Sequence, residues 1–168
     1  YLTCSLLNQE EIKILKTNLD SNNDSWEDGK KTAGSFASKV KNNLQLDRNS
    51  SVSKKNTDFV VKKILTNALI KSFALPKIIH GIMFTKSLNG MQYGRHIDNA
   101  FMSSGRADLS FTIFLNNKKD FEGGNLVVEN INNESKFKLD QGEIIIYPST
   151  YLHSVQEVLN GERLVFVG

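Results

Sequence analysis

One cysteine, Cys4, leaves the 168-residue chain without an internal disulfide. No apolar run approaches the roughly 20 residues that a membrane-spanning helix needs, so no membrane partner is expected. No internal repeat or low-complexity tract interrupts the sequence. Charge of one sign is not concentrated: 21 basic residues stand against 18 acidic ones, and the lysines come as scattered pairs (Lys30-Lys31, Lys54-Lys55, Lys62-Lys63, Lys118-Lys119). A phosphate-binding footprint clusters on one face, so nucleic acid is not an expected partner. No basic stretch followed by an apolar run and a small-residue cleavage site opens the chain, and with a single thiol a reducing cytoplasm is the expected compartment. The chain starts at Tyr1 and stops at Gly168 directly after an apolar run, which leads to the expectation of a fragment.

What is present is a globular composition, 39% hydrophobic and 23% charged with a net charge of +3, enough for one domain with one core. Asn8 with Glu11 three residues on resembles a capping box, and Ile12, Leu15 and Leu19 then recur at helical spacing until Asp20 to Asp24 ends the pattern. From Lys39 to Leu46, Val40, Leu44 and Leu46 alternate with polar residues, which predicts one short strand with Asn42 on its apolar face and in need of a buried partner. Thr57 is the expected cap of a second helix whose stripe is Val61, Ile64, Leu65, Ala68 and Leu69, closed before Pro76. Beyond Pro76 the helical period disappears. Strands are predicted near 78–85, 92–97, 108–115, 125–130, 135–139, 143–147, 153–158 and 163–167, joined by connections too short for crossover helices. Helices followed by short antiparallel strands make this a mainly β chain with N-terminal helices (α+β), a jelly roll with the helices packed outside.

All three histidines lie in the β half. His96 and Asp98 stand two apart, so on a strand they share one face about 7 Å apart at the backbone. His153 follows the strand from Glu143 to Tyr147 and the turn at Pro148-Ser149-Thr150, and a rolled sheet can return it to the same pocket. Two imidazoles and one carboxylate on one face, with open positions opposite, suit non-haem Fe(II), whereas zinc prefers a more closed shell. Ten positions past His153, Arg163 begins the apolar run Leu164-Val165-Phe166-Val167. An inward guanidinium there needs an anion, and a carboxylate matches its fork. No neighbouring residue supplies one, which points to the distal carboxylate of a small diacid. His80 reads as a core histidine, and Cys4, with no histidine near it, is not expected to be a nucleophile.

His96-x-Asp98, His153 and Arg163 resemble the signature of 2-oxoglutarate- and Fe(II)-dependent dioxygenases. The strings Trp26-Glu27-Asp28-Gly29, Thr32-Ala33-Gly34, Lys41-Asn42-Asn43-Leu44-Gln45, Gly90 to Ala100, Arg106 to Ser110 and Tyr147 to Thr150 resemble the bacterial PKHD-type hydroxylases, relatives of prolyl 4-hydroxylases, over almost the whole chain. The resemblance implies a cupin-like double-stranded β-helix. It implies a single domain over 1–168, with a helical support region over 1–76 and the catalytic core over 77–168, lacking the family's C-terminal tail. It implies His96, Asp98 and His153 as Fe(II) ligands and catalytic residues, Arg163 as the anchor of 2-oxoglutarate, and ascorbate as a further cofactor. The implied reaction hydroxylates an unactivated carbon and releases succinate and CO2.

The expected substrate is a prolyl or similar residue of a protein or peptide, with a small molecule as the alternative. Asp98 occupies the position that related halogenases leave to a halide, which favours hydroxylation. Ser110, Thr112 and Phe114 share one face and, with Leu126, are expected to line the co-substrate pocket. Relatives commonly carry an aromatic hydroxyl nine positions before the first histidine; Ser87 stands there, and Tyr93 is the candidate to compensate. Lys41-Asn42-Asn43 is expected to border the substrate entrance and hydrogen-bond a peptide or amide. Two rival readings are a non-catalytic cupin-like metal-binding module, which has no use for Arg163, and a nucleic-acid demethylase, which needs a basic groove and stacking aromatics that one tryptophan does not provide.

Overall fold

The capping box at Asn8 forms: its side chain accepts from Glu11 N at 2.9 Å while Glu11 Oε2 accepts from Asn8 N at 3.0 Å, a pair of bonds worth on the order of 1 kcal/mol. The computed structural model describes residues 1–21, 25–102 and 105–168. The expected stop of the first helix at Asn22 to Asp24 lies outside the described residues. In chain order the N-terminal part runs β1 (Leu2–Ser5), α1 (Gln9–Asp20), β2 (Trp26–Asp28), two 3-10 turns (Gly29–Thr32 and Ala37–Lys39), β3 (Lys41–Asn42), β4 (Leu44–Leu46), α2 (Ser51–Thr66) and α3 (Ala68–Ala74). The remainder is β5 (Met83–Ser87), β6 (Gln92–His96), β7 (Phe101–Met102), β8 (Gly105–Arg106), β9 (Leu109–Phe114), β10 (Phe121–Gly123), β11 (Leu126–Glu129), β12 (Glu134–Phe137), β13 (Glu143–Pro148), β14 (Leu152–Val155), β15 (Val158–Gly161) and β16 (Arg163–Val167).

The larger sheet has the order β1-β13-β9-β16-β5-β4-β2, and the smaller one β12-β11-β14-β6-β3, with every pairing antiparallel. From β5 onward the chain repeatedly crosses between them: β5, β9, β13 and β16 enter the larger sheet, β6, β11, β12 and β14 the smaller. That winding is a double-stranded β-helix, as expected. The strand predicted over 153–158 divides, because β15 leaves the sheet to pair with β10 in a separate ribbon.

Alternation along the central strands separates two cores. Ile144 and Ile146, Phe111 and Ile113, and Leu164 and Phe166 face outward and pack with Ile12, Leu15 and Leu19 of α1 and Val60 and Ile64 of α2. Ile145 and Tyr147, Phe114, Val165, Leu126 and Val128 face inward between the sheets. The helices therefore cover the outer face of the larger sheet and leave the space between sheets for a site.

Several sequence expectations need correction. Helix α2 is capped seven residues before Thr57, by Ser50, whose hydroxyl accepts from Ser53 N at 3.1 Å. Asn67 then breaks the helix and caps α3 by accepting from Ile70 N at 3.0 Å, so the buried stripe runs Ser53, Asn56, Val60, Ile64 and leaves Leu65 and Leu69 40% and 52% exposed. Asn42 is exposed, its amide reaching Gly90 O at 3.4 Å; the buried polar residues are Lys41, Asn43 and Gln45. The predicted strand over 39–46 is in fact β3 in one sheet and β4 in the other, and the chain crosses between sheets at Asn43. The support region expected over 1–76 supplies β1, β2 and β4 to the larger sheet and β3 to the smaller as well as the three helices.

Gly142 fastens α1 to the sheet: its carbonyl accepts from Leu6 N and Leu7 N at 2.9 and 3.0 Å, and its N–H donates to Phe114 O at 2.7 Å. Its φ is +85°, and a Cβ there would lie 2.3 Å from Leu7 O. Gly142→Ala is expected to cost at least about 2 kcal/mol and lower Tm by roughly 4–8 °C in thermal denaturation. Gly34→Ala, where a Cβ meets nothing within 4 Å, should change stability by no more than about 0.5 kcal/mol.

Candidate active site

The site begins with a strand pairing. β14 lies beside β6 with His153 opposite His96 and Val155 opposite Tyr93, so three steps along β6 match two along β14. That bulge turns both Tyr93 and His96 toward the space between the sheets, which regular alternation could not do for residues three apart. The rings of Tyr93 and His96 stack at 3.6 Å, and a Cβ on Gly94 within the bulge would lie 2.7 Å from Val40 Cβ. β6 ends at His96, so Asp98 reaches the site from the following loop rather than from the strand that the two-residue spacing predicts.

The imidazole rings of His96 and His153 lie 4.2 Å apart. His96 Nδ1 sits 2.8 Å from Gly94 O and His153 Nδ1 3.0 Å from Tyr151 O. A carbonyl only accepts, so both Nδ1 atoms carry a proton, which leaves Nε2 of each ring as its metal-binding atom. They face one carboxylate: His96 Nε2 is 3.8 Å from Asp98 Oδ1 and His153 Nε2 3.6 Å from Asp98 Oδ2. Ser110 donates to Asp98 Oδ2 at 2.6 Å and fixes its orientation. Burial, with His153 next to it, pushes the His96 pKa down to about 4, which keeps that ring neutral as a ligand must be. The three donor groups lie within 4.8 Å of one another. Two neutral nitrogens and one carboxylate form a set that fits Fe(II) with positions left open.

A cavity of about 450 Å³ between the sheets connects this cluster to Arg163. Arg163, the first residue of β16, is 3% exposed, and its guanidinium carbon lies 5.3 Å from the Phe114 ring centroid. Burial pushes its pKa down to about 10, and its Nε has no hydrogen-bond partner among the described residues. An orphaned, buried guanidinium facing a cavity fits the carboxylate of a diacid. Ser87, opposite Arg163 in the β5–β16 pairing, Leu126 and Val155 line the same cavity, as do Ser110 and Thr112, with Phe114 lying under Arg163. His80 stands outside the cluster, and burial raises the Cys4 thiol's pKa.

Two features of the cavity are not among the sequence candidates for co-substrate binding. Tyr147 is buried and presents its ring edge to His153 at 5.3 Å. It adds an aromatic hydroxyl to a cavity where Ser87 stands in place of one; the signal for it is its parity with the inward Ile145. Lys41 and Gln45 also line the cavity, both buried, and the signal there is their alternation with Leu44 and Leu46.

Comparison with known proteins gives this geometry a family. The model of the 2OG-Fe(II) oxygenase superfamily matches residues 82–168, which hold His96, Asp98, His153 and Arg163. A PKHD-type hydroxylase of Prochlorococcus marinus (strain MIT 9515) is 71% identical over the whole chain, which covers 76% of that relative. In fold, the chain is similar to a prolyl-4-hydroxylase of Pseudomonas putida, with a TM-score of 0.69, 16% identity and coverage of 99% of this chain and 89% of that one. It is also similar to a Trichoplax adhaerens prolyl hydroxylase solved with a hypoxia inducible factor oxygen degradation domain peptide fragment, with a TM-score of 0.65, 18% identity and coverage of 98% and 81%. Among the described residues no helix is long and apolar enough to cross a membrane. With a fold, a donor set and a close relative all in agreement, the chain belongs to the 2OG-Fe(II) oxygenase superfamily beside its PKHD-type hydroxylases, and it is a dioxygenase that works with Fe(II) and 2-oxoglutarate.

Proposed function

We propose that the chain hydroxylates an unactivated carbon of a prolyl or similar residue in a protein or peptide, releasing succinate and CO2, in the cytoplasm. His96, Asp98 and His153 are the proposed Fe(II) ligands, and Arg163 the proposed anchor of 2-oxoglutarate. The observation that carries this reading is one cavity holding both a two-histidine, one-carboxylate cluster and a buried guanidinium with an unpartnered Nε. The peptide bound to the Trichoplax relative supports the substrate class.

Fe(II) and 2-oxoglutarate, when bound, supply the oxidising chemistry from dioxygen; the protein supplies position, charge and dryness. His96 and His153 offer ring nitrogens, and Asp98 contributes the single negative charge and fills the position that related halogenases leave to a halide, which favours hydroxylation over halogenation. Ser110 keeps the Asp98 carboxylate turned to both imidazoles. Tyr93, stacked on His96, restrains that ring and is a proposed co-substrate neighbour. The Tyr147 and Thr112 hydroxyls flank the path to Arg163, and Leu126 and Val155 close it with apolar surface. Residues 77–168 carry these ligands and the anchor, and residues 1–76 contribute Lys41, Asn43 and Gln45 to the lining of the same cavity, so 1–168 acts as one domain.

Anaerobically reconstituted protein given Fe(II), 2-oxoglutarate, oxygen and prolyl peptides is expected to yield succinate and a peptide heavier by one oxygen atom; succinate without any oxidised peptide would remove the substrate assignment. In the Mn(II) form, 2-oxoglutarate should raise Tm, and Arg163→Met should weaken its binding by roughly 10²-fold or more and abolish the shift, since a buried charge pair broken on one side costs about 3–5 kcal/mol. Ser110→Ala should lower Mn(II) affinity about tenfold in titration calorimetry while leaving Tm of the metal-free protein within a few degrees; unchanged affinity would dissociate Ser110 from ligand orientation.

A further inference from the structure

The reading above uses one cation of the cavity and leaves another unexplained. Lys41, paired with Tyr93 across β3 and β6, is 6% exposed and holds its Nζ 5.0 Å from the Tyr93 ring centroid. That nitrogen lies 3.4 Å from Thr32 Oγ1, and Thr32 donates in turn to Gln45 Oε1. Gln45 Nε2, also buried, has no hydrogen-bond partner among the described residues. Lys41, Thr32 and Gln45 thus form a chain whose bonds consume the Gln45 oxygen and leave donors in excess. Arg48 lines the same side of the cavity, its Nη2 3.6 Å from Met83 Sδ.

Among the described residues neither Lys41 nor Arg48 forms an ion pair. The carboxylate felt most strongly by Lys41 is Asp98, already shared by two imidazoles and Ser110. A buried ammonium without its own anion costs several kcal/mol, so the fold carries a positive site that a ligand must complete. The carboxylate that Arg163 holds belongs to the other wall: Arg163 is on β16 of the larger sheet, Lys41 on β3 at the edge of the smaller one. A cavity of about 450 Å³ has room for more than a five-carbon diacid.

We propose that Lys41, with Arg48 beside it, is a carboxylate-binding subsite for the substrate, so that the molecule oxidised carries a carboxylate seated at Lys41 while its target carbon faces the His96, Asp98 and His153 cluster. This deepens the reading under Proposed function and rests on it. The carboxylate can be an acidic side chain of a peptide or the free carboxylate of a small molecule. Lys41 meets the same group in both cases, and Thr32 and Gln45 orient the lysine. Arg48, more exposed, draws the anion to the entrance.

Isothermal titration of the protein loaded with Mn(II) and 2-oxoglutarate tests this with two matched pairs: a doubly blocked prolyl pentapeptide with aspartate after the proline against its asparagine counterpart, and N-acetylproline against N-acetylprolinamide. The carboxylate member of one pair is expected to bind at least about tenfold more tightly than its amide, and the pair that shows it identifies the source. In Lys41→Met, which replaces a buried charge by an apolar chain of similar length, the ratio should fall to within about twofold of one, with the affinity for 2-oxoglutarate changed by less than about twofold. Arg48→Gln, at an exposed position that leaves the fold intact, should shrink the ratio about threefold. No preference in either pair, or a preference that survives Lys41→Met, overturns the proposal. A large loss of 2-oxoglutarate affinity in Lys41→Met overturns it too, by assigning the lysine to the co-substrate. Arg163-dependent binding of 2-oxoglutarate to the Mn(II) form is measured separately, so the subsite can fail while the oxygenase reading stands.

Discussion

The pairing of β14 with β6 is the contact on which the site hangs. It sets His153 opposite His96, and the antiparallel ladder brings residues 57 positions apart in sequence to a ring separation of 4.2 Å. The bulge in that ladder does the rest by aiming Tyr93 and His96 to the same side. Backbone carbonyls at Gly94 and Tyr151 then hold each ring by Nδ1, so the free nitrogens point to a common centre before any metal arrives. Preorganisation of this kind comes from main-chain geometry, which side-chain substitutions elsewhere leave in place.

The same two-sheet architecture explains how so much charge and polarity is tolerated inside a small domain. The helices bury the outer face of the larger sheet with aliphatic and aromatic side chains, and this outer core needs no help from the interior of the roll. Between the sheets the apolar cluster of Phe114, Leu126, Val128, Ile145, Tyr147 and Val165 fills one part, and the remainder is a cavity lined by Lys41, Arg163 and the His96, Asp98 and His153 cluster as well as by apolar side chains. Arg163 is stabilised by the Phe114 face and Lys41 by the Tyr93 face, two cation–π contacts that soften burial without neutralising the charge. A roll with a dry outer core and a charged inner one is suited to binding anions next to a metal.

Much of this was legible in the residues. The capping box and the spacing of Ile12, Leu15 and Leu19 define α1, and the eight strands of the roll are found close to where apolar runs and turn residues put them. Helix α2 starts before Thr57 because Ser50 is a competent cap as well, and the turns it adds carry Asn56, which is buried and accepts from Asn18 of α1, 38 residues away in sequence. β1, β2, β10 and β15 are short edge or ribbon strands, stabilised by partners and not by their own patterns. Asn42 lies on the opposite side from the one alternation suggests, because alternation fixes which residues share a face and leaves open which face is inside. In β3 and β4 it is the polar face of Lys41, Asn43 and Gln45 that turns inward, toward a cavity in place of a packed core.

The amino-acid order alone determined the inventory of the site: His96 and Asp98 two apart, His153 beyond a turn, and Arg163 ten residues later at the head of an apolar strand, in a chain of net charge +3 without tracts of one charge. The tertiary structure decided the rest: that Asp98 meets both histidines from a loop, that Tyr147 and Ser110 join them, and that Lys41 faces the cavity without an anion. The division has a physical cause. Residue type and spacing are local properties of one chain segment, whereas the direction of a β side chain and the charge it encounters are set by the register of a partner strand distant in sequence.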